Sequence, residues 1–304
     1  MRKLGLIAAI VLLLVLGPCA LGYACLKARP EPAPPVLTPF GGAGSPLIFA
    51  HRGASGVEAE NTIDAFRLAL DQGADVLELD VRLTRDGAVV VFHDDSLKRV
   101  TGVDRLVADV TLAELQAIEW GEPARRVPTL DQVFRAFPEA RVNIEIKVDD
   151  ERIPTALLKT IVGHGRVDDV LVGSTNAKIL NQFRWVSDGR VATGAAALEV
   201  VLFYLCFKLD VPSRHDYVAL QLPAFGKDRS PAWPLGGMLE DIRSPEFIAH
   251  ARRNGLRVDF WTVNDPELML ELLDAGADGI MTDYPDRAFA ARETFQNIIR
   301  TSDR

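Results

Sequence analysis

The sequence predicts a closed (β/α)8 TIM barrel preceded by one N-terminal transmembrane or signal helix. Short apolar segments of strand length alternate with longer amphipathic segments, which is typical of parallel β/α units. About eight such strands over ~245 residues match one barrel in size. Polar residues follow several of the apolar segments, as they do at the carboxyl ends of barrel strands. An open doubly wound sheet is the alternative, but no Gly-x-Gly-x-x-Gly motif follows the first strand.

The first element is an apolar N-terminal segment, and we interpret residues 1–27 as a membrane anchor or signal segment. Residues 4–26 carry no charge, and a helix of this length reaches about 35 Å, enough to cross a hydrocarbon core of ~30 Å. An uncleaved anchor is favoured because the run exceeds the usual apolar core of a signal peptide, although Ala20-Leu21-Gly22 also resembles a cleavage site. Basic residues before the segment favour an extracytoplasmic barrel, which would be secreted or periplasmic after cleavage.

A Pro- and Gly-rich stretch follows at residues 28–46, and its composition is that of a semi-rigid linker. The barrel domain is then expected at residues 47–292, with a C-terminal tail at residues 293–304. Of the three cysteines, Cys19 and Cys25 lie in the apolar N-terminal segment, so a disulfide scaffold is excluded and lipidation stays open.

The barrel elements are predicted from apolar runs and helical periodicity. The predicted strands are Leu47–Ala50, Val76–Leu83, Ala88–Phe92, Arg141–Val148, Val170–Gly173, Tyr217–Leu222, Arg257–Val263 and Gly279–Thr282. The turn Arg85-Asp86-Gly87 separates the second and third of these strands. The predicted helices are Thr62–Leu70 after the cap candidate Asn61, Ala156–Val162, Lys178–Phe183, Pro245–Arg253 and Pro266–Asp274.

The overall composition excludes several classes of protein. With 34 basic and 42 acidic residues, the chain has a formal charge of −8, which argues against a nucleic-acid partner. Its hydrophobic share of 48% is ordinary for a folded protein and too high for a disordered one. The candidate chemistry therefore has to come from individual residues at the strand ends.

Two of the five histidines, His51 and His93, directly follow apolar strands. A pair of titratable groups beside carboxylates is the expected arrangement for acid–base catalysis, so these two are the catalytic candidates. We interpret His164, His215 and His250 as structural.

Three carboxylates are expected to point into the same barrel mouth. Glu78 and Asp80 share one face of their strand, and Glu145 shares a face with Lys147 on another. Such a cluster would repel itself unless a hard divalent cation, Ca²⁺ or Mg²⁺, were bound by these oxygen ligands. The alternative is an ion-pair network with Arg52 and Lys147. Beside a metal, these two cations would instead suit an anionic substrate, above all a phosphate.

Several motifs together resemble the glycerophosphodiester phosphodiesterase family, in order and at family spacing from about Leu47 to Asp286. They are His51-Arg52-Gly53-Ala54-Ser55-Gly56, Glu60-Asn61-Thr62, Gly73 to Val81, Thr84-Arg85-Asp86-Gly87, Val90 to Asp94, Pro128-Thr129-Leu130, Asn143 to Lys147, Trp261-Thr262-Val263-Asn264 and Gly276 to Pro285.

The resemblance implies a TIM barrel that cleaves a glycerophosphodiester to glycerol 3-phosphate and an alcohol. It further implies that a substrate hydroxyl attacks phosphorus and that water then opens the resulting cyclic phosphate. The implied roles are acid–base catalysis by His51 and His93, metal binding by Glu78, Asp80 and Glu145, and phosphate contact by Arg52 and Lys147. Trp261 is a candidate apolar wall for the substrate, or core filler. Glu60 and Asn61 either shape the mouth or cap a helix.

A second apolar segment, residues 195–209, is too short to cross a bilayer. It is either a buried barrel helix or an apolar lip beside the site, where a lipid chain or the membrane surface could rest. A similar insert before Gln221-Leu222-Pro223 occurs in a subgroup that resembles lysophospholipase D enzymes, which act on lysophospholipids and release lysophosphatidic acid. A lysolipid substrate is therefore the alternative to a small, water-soluble diester. A catalytically inactive binding barrel is disfavoured, because both histidines and all three carboxylates are present.

Overall fold

The computed structural model describes Phe40, residues 45–224 and residues 241–302. The predicted N-terminal segment, most of the linker and the last two residues of the tail lie outside these ranges. Among the helices that are described, none is both long and apolar enough to cross a membrane.

Within the described residues, eight parallel strands form a barrel, and a ninth strand lies off this ring and pairs with the carboxyl end of one barrel strand. The strands are β1 Leu47–His51, β2 Val76–Leu83, β3 Val89–Val91, β4 Arg141–Ile146, β5 Val170–Gly173, β6 Ala192–Thr193, β7 Ala219–Pro223, β8 Arg257–Trp261 and β9 Gly279–Thr282. Their order around the barrel is β6-β5-β4-β2-β1-β9-β8-β7. A parallel bridge between Gly194 and Ala219 joins β6 to β7 and closes the ring.

Helices surround this ring, and most follow a strand directly. Their bounds are α1 Ile63–Asp71, α2 Lys98–Thr101, α3 Leu112–Gln116, α4 Leu130–Ala136, α5 Ile153–Gly163, α6 Ala177–Ser187, α7 Ala197–Lys208, α8 Pro245–Arg253, α9 Pro266–Asp274 and α10 Pro285–Ser302. Side-chain caps start many of them. Thr111 and Thr129 form capping boxes with Glu114 and Gln132, which satisfies backbone donors that the first helical turn leaves unpaired.

The predicted number of barrel strands agrees with the structure, but one member differs. The segment around Val89–Val91 runs antiparallel to β2 and lies off the barrel ring. The turn between the two strands is too short for a parallel crossover, which needs a dozen or more residues. The eighth barrel strand is instead β6, which escapes pattern recognition because it has only two residues.

The predicted cap of the first helix is also wrong by one residue. Thr62, not Asn61, caps α1 by accepting a hydrogen bond from the Ala65 amide. Asn61 adopts a left-handed φ of 58°. Its side chain points to Asp80 instead.

The barrel interior holds an apolar cluster made by inward-facing strand residues and by one residue of the linker. Its members are Phe40, Phe49, Val76, Leu171, Ala192, Ala219 and Met281. Phe40 comes from the linker and is fully buried. Its carbonyl accepts a hydrogen bond from Arg257 at the start of β8, which also forms a buried ion pair with Asp259. Phe40 of the predicted linker is therefore docked at the amino end of the barrel.

The apolar segment 195–209 contains α7, which packs against the barrel on one side only. Val200, Phe203 and Tyr204 are buried in a core cluster with α8. The opposite side of the helix is exposed and carries Leu198, Leu202 and Leu205, and the C-terminal cap residue Leu209 continues this row. We call these four residues the α7 leucine face.

Candidate active site

Three neighbouring strands bring most of the predicted site residues side by side. His51 is the last residue of β1 and pairs in register with Glu78 on β2. Asp80 pairs with Glu145 on β4. Because residues paired in register on neighbouring strands point to the same face, these four side chains converge at the carboxyl end of the barrel.

The turn after β1 folds back over the cluster. Arg52 has a left-handed φ of 58°, and its amide donates a hydrogen bond of 2.9 Å to Glu78. Gly53 has a φ of +83°, and a β-carbon there would lie 2.7 Å from the backbone of Ala65. Glycine is required at this position because the turn packs directly against α1. The tight turn thus holds Arg52 over the carboxylates.

Glu78, Asp80 and Glu145 form a cluster that could hold a metal ion. One oxygen of each carboxylate lies within 4.8 Å of the others. Burial and then the charge of Asp80 raise the pKa of Glu78 to about 8. Asp80 is buried and accepts a hydrogen bond of 2.9 Å from Asn61. The cluster is therefore an electrostatically unfavourable arrangement of acids in the absence of a cation.

The ion-pair network that the sequence also allowed is present at the same place. Arg52 Nε lies 3.2 Å from Asp80 Oδ2, and Lys147 Nζ lies 2.8 Å from Glu145 and 3.5 Å from Asp80 Oδ1. Burial lowers the pKa of Lys147, but the nearby carboxylates outweigh this and raise it overall.

These two cations leave the cluster incompletely satisfied. Within the described residues, the buried oxygen Asp80 Oδ1 accepts no hydrogen bond. Arg52 also forms an ion pair with a fourth carboxylate, and its Nη1 lies 3.3 Å from Oε1 of Glu60. The ligand atoms are all carboxylate oxygens, the donor type that Ca²⁺ and Mg²⁺ prefer. Glu78, Asp80 and Glu145 therefore fit a hard divalent cation.

His51 is oriented by an aspartate from the other end of the chain. Its Nδ1 shares a hydrogen bond of 2.7 Å with Asp283 in the loop after β9. Asp283 also accepts hydrogen bonds of 2.9 Å from Ser55 and 2.6 Å from Asn264. Burial alone would raise the pKa of Asp283, but the hydrogen bonds with His51 and Asn264 lower it to about 2. With Nδ1 bound in this way, Nε2 of His51 is left to exchange a proton with substrate.

Replacing Asp283 with Asn is expected to lower the pKa of His51. Burial lowers this pKa, whereas the hydrogen bond from Asp283 raises it, and the net result lies above the ordinary value of 6.5. The charged ring of His51 therefore contributes its full stabilisation at pH values below the pKa of this residue in the unfolded chain. This stabilisation is lost as pH rises through the pKa of His51 in the folded protein. In the variant, ring resonances of His51 in EDTA should titrate at lower pH than in the wild type. Equal titration of His51 in both proteins would contradict this role of Asp283.

His93 reaches the site although β3 is not a barrel strand. The amide of Phe92 donates a hydrogen bond of 2.9 Å to the carbonyl of Asp80, which docks the end of β3 beside the cluster. His93 Nδ1 shares a hydrogen bond of 2.6 Å with Asp94. Hydrogen bonding to Arg99 is the main reason that the pKa of Asp94 falls to about 2. Both candidate histidines are thus held by an aspartate through the same ring nitrogen.

A chain of ion pairs, which we call the rim network, connects Asp94, Arg99, Glu60 and Arg52. Arg99 Nε donates to Asp94 at 2.5 Å, and the Arg99 guanidinium holds both oxygens of Glu60 at 2.6 and 3.1 Å. Glu60 in turn accepts a hydrogen bond from Arg52. The network joins the loop after β1 to the loop after β3. Glu60 therefore helps to shape the mouth, as one of its two sequence interpretations expected.

Replacing Arg99 with Lys is expected to lower kcat/KM by roughly tenfold. Lysine keeps the charge but loses the planar fork, and the lost charge-assisted hydrogen bonds amount to about 1.4 kcal/mol. Arg99 acts as a positioning residue through Asp94 and Glu60, so the loss should be divided between kcat and KM. Lys98→Gln is the matched control, because the ion pair that Lys98 makes among the described residues is with Asp104 at the surface. A tenfold loss in the control as well, or none in Arg99→Lys, would contradict this role.

Trp261 ends β8 and is half-buried at the mouth. Its indole nitrogen donates a hydrogen bond of 3.0 Å to the backbone of Gln221, and its ring packs on the interior cluster. The ring therefore fills part of the core, as one of the two sequence interpretations expected. Its role as an apolar wall for the substrate stays a prediction.

The remaining histidines lie outside this constellation. His164 pairs with Asp131 at 2.8 Å, His215 bonds two backbone oxygens, and His250 packs between the rings of Phe203 and Phe207. Five residues with a clear place in the site received no individual role from the sequence: Ser55, Asp94, Arg99, Asn264 and Asp283. Asp94 follows His93 directly and Asp283 follows a strand, which are the signals that could have identified them.

Two aspartate-oriented histidines, a carboxylate cluster and two cationic side chains at the mouth of a (β/α)8 barrel define a hydrolytic barrel enzyme suited to phosphate esters. The sequence profile of the glycerophosphoryl diester phosphodiesterase family matches residues 51–287, and the chain belongs to this family. It is thus a phosphodiesterase, as the sequence motifs indicated.

Curated relatives and solved structures agree with this membership. The chain is 34% identical over 265 residues to a glycerophosphodiester phosphodiesterase of Caldanaerobacter subterraneus, covering 84% of this chain and 98% of the relative. It is 29% identical over 264 residues to a human lysophospholipase D, covering 79% and 83%. A glycerophosphodiester phosphodiesterase structure from Agrobacterium tumefaciens matches with a TM-score of 0.66 at 26% identity, covering 81% and 99%. An Oleispira antarctica phosphodiesterase in complex with its product sn-glycerol-3-phosphate matches with a TM-score of 0.66 at 26% identity, covering 82% and 97%.

Proposed function

We propose that this enzyme hydrolyses glycerophosphodiesters to glycerol 3-phosphate and an alcohol, using a divalent cation and the His51/His93 pair. The observation that carries the proposal is the register of β1, β2 and β4, which sets an aspartate-bound histidine directly beside three carboxylates. Family membership supports the reaction class, and relatives named glycerophosphodiester phosphodiesterases support the substrate class.

Each histidine would move one proton in each of two steps. In the first step a glycerol hydroxyl attacks phosphorus, one histidine takes the hydroxyl proton, and the other protonates the departing alcohol as its P–O bond breaks. In the second step water adds to the cyclic phosphate, and the two histidines exchange roles as one ring P–O bond opens. The aspartates on Nδ1 keep each ring in the tautomer that presents Nε2, and stabilise its charged form.

The phosphate itself would be held by charge. Arg52 and Lys147 lie at the edge of the carboxylate cluster. Both would donate some of their hydrogen bonds to phosphate oxygens in place of carboxylate oxygens. A cation held by Glu78, Asp80 and Glu145 would polarise the phosphoryl oxygens and the attacking hydroxyl. Trp261 would border the glycerol or the leaving group with its ring face.

We also propose that residues 4–26 anchor the chain in a membrane, with the barrel on the extracytoplasmic side. Support comes from the length of the uncharged run and from the basic residues before it. Cleavage of the segment would make the enzyme secreted or periplasmic instead. Mass spectrometry of the mature N-terminus, together with protease protection in intact cells, distinguishes these outcomes.

The test of the reaction uses the full chain with glycerophosphocholine, glycerophosphoethanolamine and lysophosphatidylcholine. Each substrate is incubated with Ca²⁺, with Mg²⁺ or with EDTA, and glycerol 3-phosphate, lysophosphatidic acid and free alcohol are measured. Release of glycerol 3-phosphate in a cation-dependent manner is the expected result. Equal turnover in EDTA would contradict the metal, and no turnover of any diester would contradict the proposal as a whole.

A second candidate function is hydrolysis of lysophospholipids to lysophosphatidic acid. Two observations favour it: the similarity to a human lysophospholipase D, and the α7 leucine face, which starts at the mouth end of the barrel. Release of lysophosphatidic acid alone, without turnover of the deacylated diesters, would select this candidate.

A further inference from the structure

The α7 leucine face is an apolar feature of the described surface that belongs neither to the core nor to the carboxylate and histidine site. Leu198, Leu202, Leu205 and Leu209 are 63%, 47%, 36% and 70% exposed. Their spacings of four, three and four residues place them on one side of the helix. Single exposed leucines are ordinary on protein surfaces, but a row of four along one helix is a continuous strip.

The charged groups of α7 are held on the flanks of this strip. Glu199 bonds both terminal nitrogens of Arg184 at 2.6 and 3.0 Å, and it also accepts the Ala196 amide at 2.7 Å. Lys208, near the end of the helix, pairs with Asp241, and its ammonium lies 5.3 Å from the centre of the Tyr204 ring. No charge of the helix therefore has to be dehydrated when the leucines are covered.

The chain outside the described residues indicates what could cover them. Phe40 is buried in the barrel and bonded through its carbonyl to Arg257, so the tether to the proposed anchor ends there. Twelve residues separate Phe40 from Lys27, and a fully extended chain between these two positions spans about 45 Å. The barrel is thus restricted to the region next to the bilayer that holds the anchor.

We propose that the α7 leucine face rests on the lipid bilayer that carries the N-terminal segment. The barrel would then lie on its side, with the four leucines at the boundary between headgroups and acyl chains and Lys208 at headgroup level. Because α7 follows β6 after three residues, its first turn lies close to the barrel mouth. The mouth would open along the lipid surface, where phosphodiesters bearing an acyl chain are found. This inference rests on the proposed anchor, but it does not depend on which diester is hydrolysed.

The test is hydroxyl-radical footprinting of the unmodified full chain reconstituted in phosphatidylcholine–phosphatidylglycerol vesicles. Flotation of the vesicles first shows whether the anchor holds. Oxidation of Leu198 and Leu209 is then compared with that of Val57 and Leu106, which are 62% and 44% exposed and lie in the segments before α1 and after α2. We expect strong protection of the two α7 leucines and normal oxidation of the two controls.

Each outcome decides the inference. A chain that floats but shows equal oxidation at all four positions overturns the inference and leaves the anchor standing. A chain that does not float overturns both. Protection that grows with the protein-to-lipid ratio would indicate a second copy of the chain as the partner, and would also overturn the inference.

A site-specific probe gives an independent readout. Cys19, Cys25 and Cys206 are replaced by Ser, and one environment-sensitive fluorophore is attached at Leu202→Cys or at Asp71→Cys. Asp71 ends α1 after β1, and β1 lies four strands from β6 in either direction around the ring. The Leu202 probe should shift to shorter emission wavelength and be quenched by nitroxide-labelled lipid, and the Asp71 probe should do neither. Identical behaviour of the two probes would contradict the membrane contact.

Discussion

Replacement of His51 or His93 by Ala is expected to lower kcat by roughly 10²- to 10⁴-fold, the usual contribution of a positioned general acid or base. Each ring is bound through Nδ1 to an aspartate, at 2.7 Å for His51 and 2.6 Å for His93. Because one ring takes a proton while the other gives one, the double variant should lose little more than either single variant. Steady-state kinetics with glycerophosphocholine at saturating cation checks both statements.

The matched control is His164→Ala. His164 also pairs with an aspartate, Asp131, at 2.8 Å, but it caps α5 away from the mouth. Its replacement should leave kcat within a factor of two. Full activity in His51→Ala would remove the proposed acid–base mechanism, and a large loss in His164→Ala would show that the assay reports folding rather than catalysis.

Removal of the cation, or of one of its ligands, is expected to have an effect of similar size. Glu78→Gln should lower kcat/KM by roughly 10³-fold, since the electrostatic stabilisation that a metal supplies amounts to several kcal/mol. EDTA should reproduce this loss in the wild type and cause no further loss in the variant. Glu271→Gln, an exposed position on α9, is the control and should behave like the wild type.

Thermal unfolding provides a readout of the same site without catalysis. A cation present at 100 times its Kd stabilises the fold by about 2.7 kcal/mol, which corresponds to a rise in Tm of roughly 5–10 °C for a domain of this size. Glu78→Gln should lose most of this rise. An unchanged Tm of the wild type on addition of Ca²⁺ and of Mg²⁺ would contradict the cation site.

The raised pKa of Glu78 also predicts whether the stability of the fold rises or falls with pH. Burial and neighbouring carboxylates raise the pKa of Glu78 to about 8 without a cation. A carboxyl whose folded pKa is raised destabilises the fold as pH rises from its unfolded pKa to its folded one. The cation-free wild type should therefore lose stability between about pH 4.5 and pH 8, and Glu78→Gln should lose less. Equal slopes in EDTA would contradict the raised pKa.

Much of the barrel could be predicted from the sequence because its elements depend on near neighbours in the chain. The bounds of α8 and α9 agree with the sequence prediction, since each begins with a capping residue followed by Pro. Apolar runs of strand length revealed seven of the eight barrel strands. Because side chains alternate along a strand, the spacing of Glu78 and Asp80 was enough to place them on one face.

The contacts that the sequence could not predict form between distant residues when the strands close into a ring. His51 and Asp283 are 232 positions apart and meet only because β9 returns beside β1. The rim network similarly joins Glu60 to Arg99 across 39 positions. No local periodicity encodes such partners, so the sequence motifs identified both histidines but not the residues that hold them.

For the apolar segment at 195–209, too, the sequence decided one part of the description and the tertiary structure decided the rest. Its composition established that the segment is apolar, and its length excluded a membrane span. Only the packing of Val200 and Phe203 against α8 decided which side of α7 is buried and which side leaves four leucines exposed. The sequence by itself determined the barrel, its family and the residue types of the site. The tertiary structure decided their partners and exposed faces, because these depend on which distant strands and helices pack together.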